Sequence, residues 1–168
     1  MKTMQYIFTC CSLSVLLFSC DSFLDENPKG VLSNEQLNTP ENVEKMVIAA
    51  YSSLGNDHYT EPNSPWPYGD LRSGDAYKGG AGTGDLQEFH FYETFTYLRD
   101  DIGLLDSKWY KEYVAISRAN NALARLNAID EADFSKKMIR IAEMRFLRAH
   151  YYFELKLLFK QIPFIDET

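Results

Sequence analysis

Residues 106–164 read DSKWYKEYVAISRANNALARLNAIDEADFSKKMIRIAEMRFLRAHYYFELKLLFKQIPF, two helical patterns back to back with a break at Pro163. In the first, over 109–126, Trp109, Tyr113, Ile116, Ala119, Ala122, Leu123 and Leu126 recur at the spacing that gathers apolar side chains on one helical face. Asp106 or Ser107 stands where a capping side chain is wanted. The second pattern, over 135–159, carries a wider stripe: Met138, Ile141, Ala142, Met144, Ala149, Tyr151, Tyr152, Leu155 and Leu158. A stripe that wide has to be covered from more than one side. The connector 127–134 is short enough to return the chain antiparallel, which makes the pair an αα-hairpin of the kind that stacks into helical repeats. One hairpin alone leaves apolar surface bare.

Within this stretch Tyr110, Ile116 and the run Arg118, Ala119, Asn120 are followed by EMRFLRAHYYF over 143–153, then Leu155, Leu158, Phe159 and Ile162, Pro163, Phe164. Together they resemble the signature of the SusD/RagB family. Many positions are fixed in order at once, which a generic amphipathic helix does not achieve. The resemblance implies a surface-exposed, outer-membrane lipoprotein of the Bacteroidetes that binds nutrients, usually glycans or oligosaccharides. It implies a mainly α fold, with tetratricopeptide-like hairpins belonging to a SusD-like superhelix, and no cofactor. The implied partner is a SusC-like, TonB-dependent outer-membrane transporter over which the lipoprotein sits as a lid. It also implies that 31–168 is an incomplete N-terminal helical region of a longer protein, with further ligand residues beyond it.

The 168 residues make room for one ordinary domain. Aromatics at 14%, with 11 Tyr and 11 Phe, argue for a packed core rather than a disordered chain. A net charge of −7 argues against nucleic acid, since phosphate contact needs concentrated Lys and Arg. All three cysteines, Cys10, Cys11 and Cys20, precede residue 21, so a disulfide framework, zinc site or thiol nucleophile has no material in the rest of the chain.

Lys2 supplies a basic start, and 7–18 an apolar run shorter than the roughly 20 residues that span a bilayer. Leu17, Phe18, Ser19, Cys20 then resembles a lipobox. The expectation is a lipoprotein signal peptide over 1–19, cleaved before Cys20, whose thiol takes a diacylglycerol and whose new amine takes a fatty acid such as palmitate. Two or three acyl chains anchor stably where one is marginal. An ordinary signal peptide with an incidental cysteine is the competing reading. Residues 20–30 form an acidic tether, with Asp21, Asp25 and Glu26 ahead of Pro28 and Gly30, and resemble the signal that sends such lipoproteins to the cell surface.

Ser33 with Gln36 has capping-box spacing and is expected to open one helical turn. Thr39, Pro40, Glu41 is a stronger start, after which Val43, Met46, Val47, Ala50, Tyr51 and Leu54 hold one face until Gly55 stops the helix. Residues 55–85 hold seven of the nine glycines and three of the six prolines, and read as a long irregular loop. Loops of that length are usually functional or mobile. This one concentrates Tyr59, Trp66, Tyr68 and Tyr77 among Asn63, Asp70, Arg72, Asp75 and Lys78. Sugar rings present apolar C–H faces rimmed by hydroxyls, so a glycan site needs flat aromatic surface beside hydrogen-bonding groups. Trp66, Tyr68 and Tyr77 are the candidate ligand contacts. The competing reading is that such rings pin the loop to the helices.

Asp75 reads as structural, and glycines 79, 80, 82 and 84 lack the Lys and Ser/Thr of a phosphate loop. Phe89, Phe91, Phe95 and Tyr97 alternate with polar residues, which suggests a short strand or an extended segment. Asp100 and Asp101 read as solvated caps rather than a cation site. Arg145 and Arg148, three apart, share a face and can brace a neighbouring helix or carboxylate, a ligand anion being the alternative. His58, His90 and His150 have no metal-ligand spacing, so no metal is expected.

The leading expectation is therefore capture of a nutrient glycan without covalent chemistry. A helical-repeat scaffold for protein partners is one alternative. A glycoside hydrolase is another, but none of the many Asp and Glu lies in a recognisable motif.

Overall fold

A computed structural model describes residues 30, 33–55, 63–96 and 103–168. The expected leader, Cys20 with its tether up to residue 29, His58, Tyr59, Asp100 and Asp101 lie outside the described residues. The chain divides into two compact units, Met1–Ser33 and Asn34–Thr168. The second unit carries helices α1 (Asn34–Leu37), α2 (Pro40–Ser52), α3 (Asp70–Ser73), α4 (Gln87–Thr94), α5 (Gly103–Ala128) and α6 (Lys137–Leu158). No strand occurs among the described residues, so the fold is mainly α as the sequence implies.

Helix α2 starts where its capping chemistry says it should. Thr39 is extended at ψ 146° and its hydroxyl accepts from the Asn42 N–H, with Pro40 at the first helical position. Val43, Val47 and Ala50 are buried, whereas Tyr51 and Leu54, expected on the same face, sit exposed at its rim. Leu54 falls in a tightened 3₁₀ turn, Ser53–Gly55, which rotates it off the α-helical stripe, whereas Tyr51 is still within the α-helix at the edge of its buried face.

Helices α5 and α6 form the expected antiparallel hairpin, with Lys108 near Glu154 and Asn120 near Arg148. Helix α5 begins earlier than the periodicity suggests. Asp106 lies in its first turn, where a carboxylate favours the helix dipole, and Ser107 lies further in, so neither is the cap. Small residues Ala115, Ala119 and Ala122 line the inner face of α5 and let α2 and α6 pack closely around it. Ile129 and Phe134, in the connector, close the open end of that core. Tyr151 of α6 donates a hydrogen bond to the Ala50 carbonyl of α2 at 2.7 Å. Arg140 forks between Glu44 of α2, through Nε at 3.0 Å, and Glu143, through Nη1 at 2.7 Å.

The stripe on α6 is covered on one side only. Ile141, Met144, Leu147, Tyr151 and Leu155 are buried, while Met138, Ala142 and Ala149, expected in the same stripe, face solvent. They stand with Ile139, Phe146, Phe153 and Leu157, all exposed, on a second apolar face.

The aromatic run after residue 86 is helical over Gln87–Thr94 rather than extended, and Tyr97 lies outside the described residues. In α4, Phe89 and Tyr92 are three apart and both buried, a helical pairing that the alternation of 89 and 91 concealed. Leu86 and Phe95, both left-handed at φ +50° and +58°, bracket it.

Past Phe159 the chain leaves the helix and runs back over the hairpin. Tyr113 donates to the Pro163 carbonyl at 2.7 Å and Asn120 to the Ile165 carbonyl at 3.0 Å. Tyr152 both donates to Ile165 O at 2.7 Å and accepts from Ile165 N at 2.6 Å. Arg148 ties Asn120 Oδ1 at 2.8 Å to the Glu167 carboxylate, so it is the brace the sequence suggests, while Arg145 is exposed.

Candidate functional site

The loop between α2 and α5 is held by its own turns and by a second core. Tyr68 and Gly69 donate their N–H groups to the Pro65 carbonyl at 3.0 and 2.8 Å, winding the chain into α3. Gly74, at φ +83°, ends that turn in the left-handed conformation that glycine adopts without a Cβ penalty. Asp75 accepts from the Ser73 hydroxyl at 2.7 Å, a local turn contact that suits its expected structural role. The glycine cluster curls around Lys78, whose ammonium donates to the carbonyls of Gly79 at 3.0 Å, Gly82 at 2.8 Å and Asp85. Asp85 in turn accepts from the Ala81 N–H at 3.0 Å. The loop is therefore built by a lysine that fills it.

The three candidate aromatics have different environments. Trp66 is half-buried, its ring 5.3 Å from Phe89. Tyr68 is buried, donates its hydroxyl to the Leu104 carbonyl at 2.9 Å and meets Tyr92 edge-on at 5.9 Å. Tyr77 is 85% exposed. The structure thus gathers Trp66 and Tyr68 around the small core of Leu71, Phe89, Tyr92 and Leu104, and leaves Tyr77 open to solvent.

Two features escape a reading of the sequence. One is a stack in which the Arg72 guanidinium lies 4.2 Å from the centre of the Phe95 ring and 5.7 Å from that of Tyr92. Nothing in the sequence order brings 72 to 95, because α3 must first pack on α4. The other is a sealed ion cluster: Lys108 lies 2.8 Å from Glu112 and 3.2 Å from Glu154, and donates to the Asn63 carbonyl. The spacing of Lys108 and Glu112 is a readable helical ion pair, but Glu154 arrives only when the hairpin closes. Burial pushes the Glu112 carboxyl above its ordinary range, against the pull of Lys108. With a lysine between them and side chains of Lys108 and Glu112 only 1% exposed, these carboxylates tie the start of the loop to both long helices.

The clefts are modest. One of about 150 Å³ lies between Pro65, Tyr68 and Gly69 of the loop and Glu154, Leu157 and Leu158 of α6. Another, about 350 Å³, lies under the returning tail and presents Ser117, Asn120, Asn121 and Thr168 beside Tyr113 and Ile116. The second is within the few hundred Å³ usual for a small-molecule site. Among the described residues, no group of three or more His, Cys, Asp or Glu is placed to hold a metal ion. No helix among them is long and apolar enough to cross a membrane.

Residues 22–168 match the family described as starch-binding and associating with the outer membrane. The chain belongs to the SusD-like family. It is also similar to SusD-like protein P2 of Formosa agariphila, at 31% identity over 165 residues. That alignment covers 96% of this chain and 31% of the relative, so the chain spans about a third of the length of the SusD-like protein it matches. Members of this family are binding proteins, and the match contains every helix described above, the long hairpin included.

Proposed function

We propose that this SusD-like chain is a surface-exposed lipoprotein that captures oligosaccharides and passes them to a SusC-like, TonB-dependent outer-membrane transporter. The observation that carries the proposal is the match over 22–168 to a starch-binding, outer-membrane family. Anchoring rests on Cys20, with 1–19 as the cleaved leader and 20–30 as the tether. Capture rests on stacking and hydrogen bonding with no covalent step. Of the candidate contacts, Tyr77 offers an open ring, Trp66 a half-buried ring tilted against Phe89, and Tyr68 supports the loop from within its core.

Two measurements test this. Cells grown with a labelled fatty acid should incorporate it into the parent and not into Cys20→Ala, and an unlabelled parent found in the soluble fraction would overturn the anchor. A pull-down of the full-length protein on immobilised starch and other plant or algal polysaccharides should retain it, and retention should fall for Tyr77→Ala.

One observation favours a second reading, a scaffold for protein partners: the apolar face of α6 formed by Ile139, Phe146, Phe153 and Leu157 is exposed. Under that reading Tyr77→Ala leaves glycan retention unchanged.

A further inference from the structure

Helix α4 ends on an aromatic residue where the backbone favours glycine. Phe95 lies at φ +58° and ψ 27°, and its N–H and that of Thr96 both return to the Phe91 carbonyl. This is the left-handed closure that glycine makes freely and that Cβ-bearing residues adopt against steric resistance. A bulky residue held there needs a compensating contact, and such outliers point to function when the contact alone does not bury the side chain.

The compensating contact is Arg72. Its guanidinium lies 4.2 Å from the Phe95 centroid, and the same group is 5.7 Å from the Tyr92 ring beneath. Tyr92 is itself fixed edge-on by Tyr68, whose hydroxyl is bound to Leu104. A chain of contacts therefore runs from the second core out to Phe95, and the ring at its end is still 58% exposed. Rigid support beneath an open aromatic ring reduces the entropy lost when a flat ligand settles on it.

The flanking hydroxyls set the polarity of what can bind. Thr94 Oγ1 donates to the His90 carbonyl at 2.7 Å, so in the 2.6 Å contact between Thr94 and Thr96 the proton comes from Thr96. With that proton committed, Thr96 faces a ligand as an acceptor. A ring that stacks, next to an oxygen that accepts, suits a ligand with an apolar face and O–H donors, and the acidity of the chain disfavours anions.

We propose that Phe95, braced by Arg72 and flanked by Thr94 and Thr96, is a pyranose-stacking subsite in which a sugar lays its C–H face on the phenyl ring and donates a hydroxyl proton to Thr96. This rests on the glycan-capture reading and adds residues to it.

The test is affinity electrophoresis of the full-length protein through gels containing soluble starch, laminarin or xylan, with thermal melts alongside. Phe95→Gly relieves the left-handed strain, so it should melt no lower than the parent while its dissociation constant rises about tenfold. Phe95→Trp should bind within about threefold of the parent, and Thr96→Val should weaken binding by about threefold or more. A folded Phe95→Gly protein retarded like the parent overturns the subsite and leaves the glycan reading standing. A Phe95→Gly protein that melts below the parent overturns the strain argument and the subsite with it. A parent retarded by none of the three polysaccharides overturns the glycan reading and the subsite together.

Discussion

Glu112 and Tyr151 show how burial acts on single groups in this core. Burial holds the Glu112 carboxyl above its ordinary value of 4.5, with Lys108 pulling the other way. A carboxyl raised in the folded state keeps its proton after the unfolded chain has released it. Its contribution is thus fully present below the ordinary glutamate value and is lost as pH rises through the folded value. Glu112→Gln keeps an acceptor for Lys108 without the charge. In urea unfolding from pH 4.5 to 8, the Gln variant should gain on the parent as pH rises. A Gln variant that instead loses ground at high pH would mean that the Lys108 attraction dominates. Lys108→Met leaves the buried Glu112 and the partly buried Glu154 without a cation and should cost about 3–5 kcal/mol. Burial also pushes the Tyr151 hydroxyl up to about 12. The same sign applies: the parent should lose stability from pH 10 upward. Tyr151→Phe should lack that alkaline loss but give up about 0.5–1.5 kcal/mol at pH 7, because the Ala50 carbonyl loses the hydroxyl and keeps only the Ser53 N–H. The Lys108 and Glu112 spacing is visible in the sequence. Their burial is not, because it depends on Glu154 and Asn63, which come from elsewhere in the chain.

At the scale of elements, long periodic stretches were legible and short aromatic ones were not. Helices α2, α5 and α6 carry 13, 26 and 22 residues, enough turns for a helical repeat to declare itself. Helix α4 has eight residues, four of them aromatic or histidine, and so few turns fit a period of two as well as 3.6. Its ends are set by left-handed Leu86 and Phe95, residue types that carry no turn signal. By contrast, Thr39 and Pro40 announce α2 directly. Thr39→Ala should cost about 1 kcal/mol in chemical denaturation, since the Asn42 N–H loses its acceptor. Arg145 and Arg148 share a face by spacing, yet three residues is about 60° short of a full turn. That offset decides which of them reaches the groove. Arg148→Ala should speed amide hydrogen exchange at residues 166–168 while Ile165, still bound by Tyr152 and Asn120, and α2 stay protected, because Arg148 bridges Asn120 and Glu167 and no bond from it reaches α2. The candidate loop was legible as glycine-rich and aromatic. Which of its rings face outward was not, because that depends on α3 packing against α4.

For the molecule as a whole, the governing fact is a helix with two apolar faces and one of them covered. Ile141, Met144, Leu147, Tyr151 and Leu155 of α6 pack inward, while Ile139, Phe146, Phe153 and Leu157 form a stripe at helical spacing on the solvent side, with Phe146 72% exposed. Helices apolar all round belong in interiors, which is why the width of the stripe in the sequence called for cover on more than one side. Pairing two such faces buries four side chains on each copy, each already partly covered, and is worth on the order of 8–15 kcal/mol in gross transfer free energy. Association costs about 4–15 kcal/mol in lost translational and rotational freedom. The two ranges overlap, so the face should drive weak, concentration-dependent self-association and not a tight dimer. Residues 21–168 produced without the leader should therefore show, by light scattering, a mass that climbs above the monomer over tens of micromolar. Phe146→Glu with Phe153→Glu places two charges in the centre of the stripe and should return the mass to that of the monomer, without lowering the melting temperature, since neither ring contributes to the core. A parent that stays monomeric with a single sharp cooperative melt would show that the inward face and the second core suffice to hold the fold, and that the outer stripe drives no association.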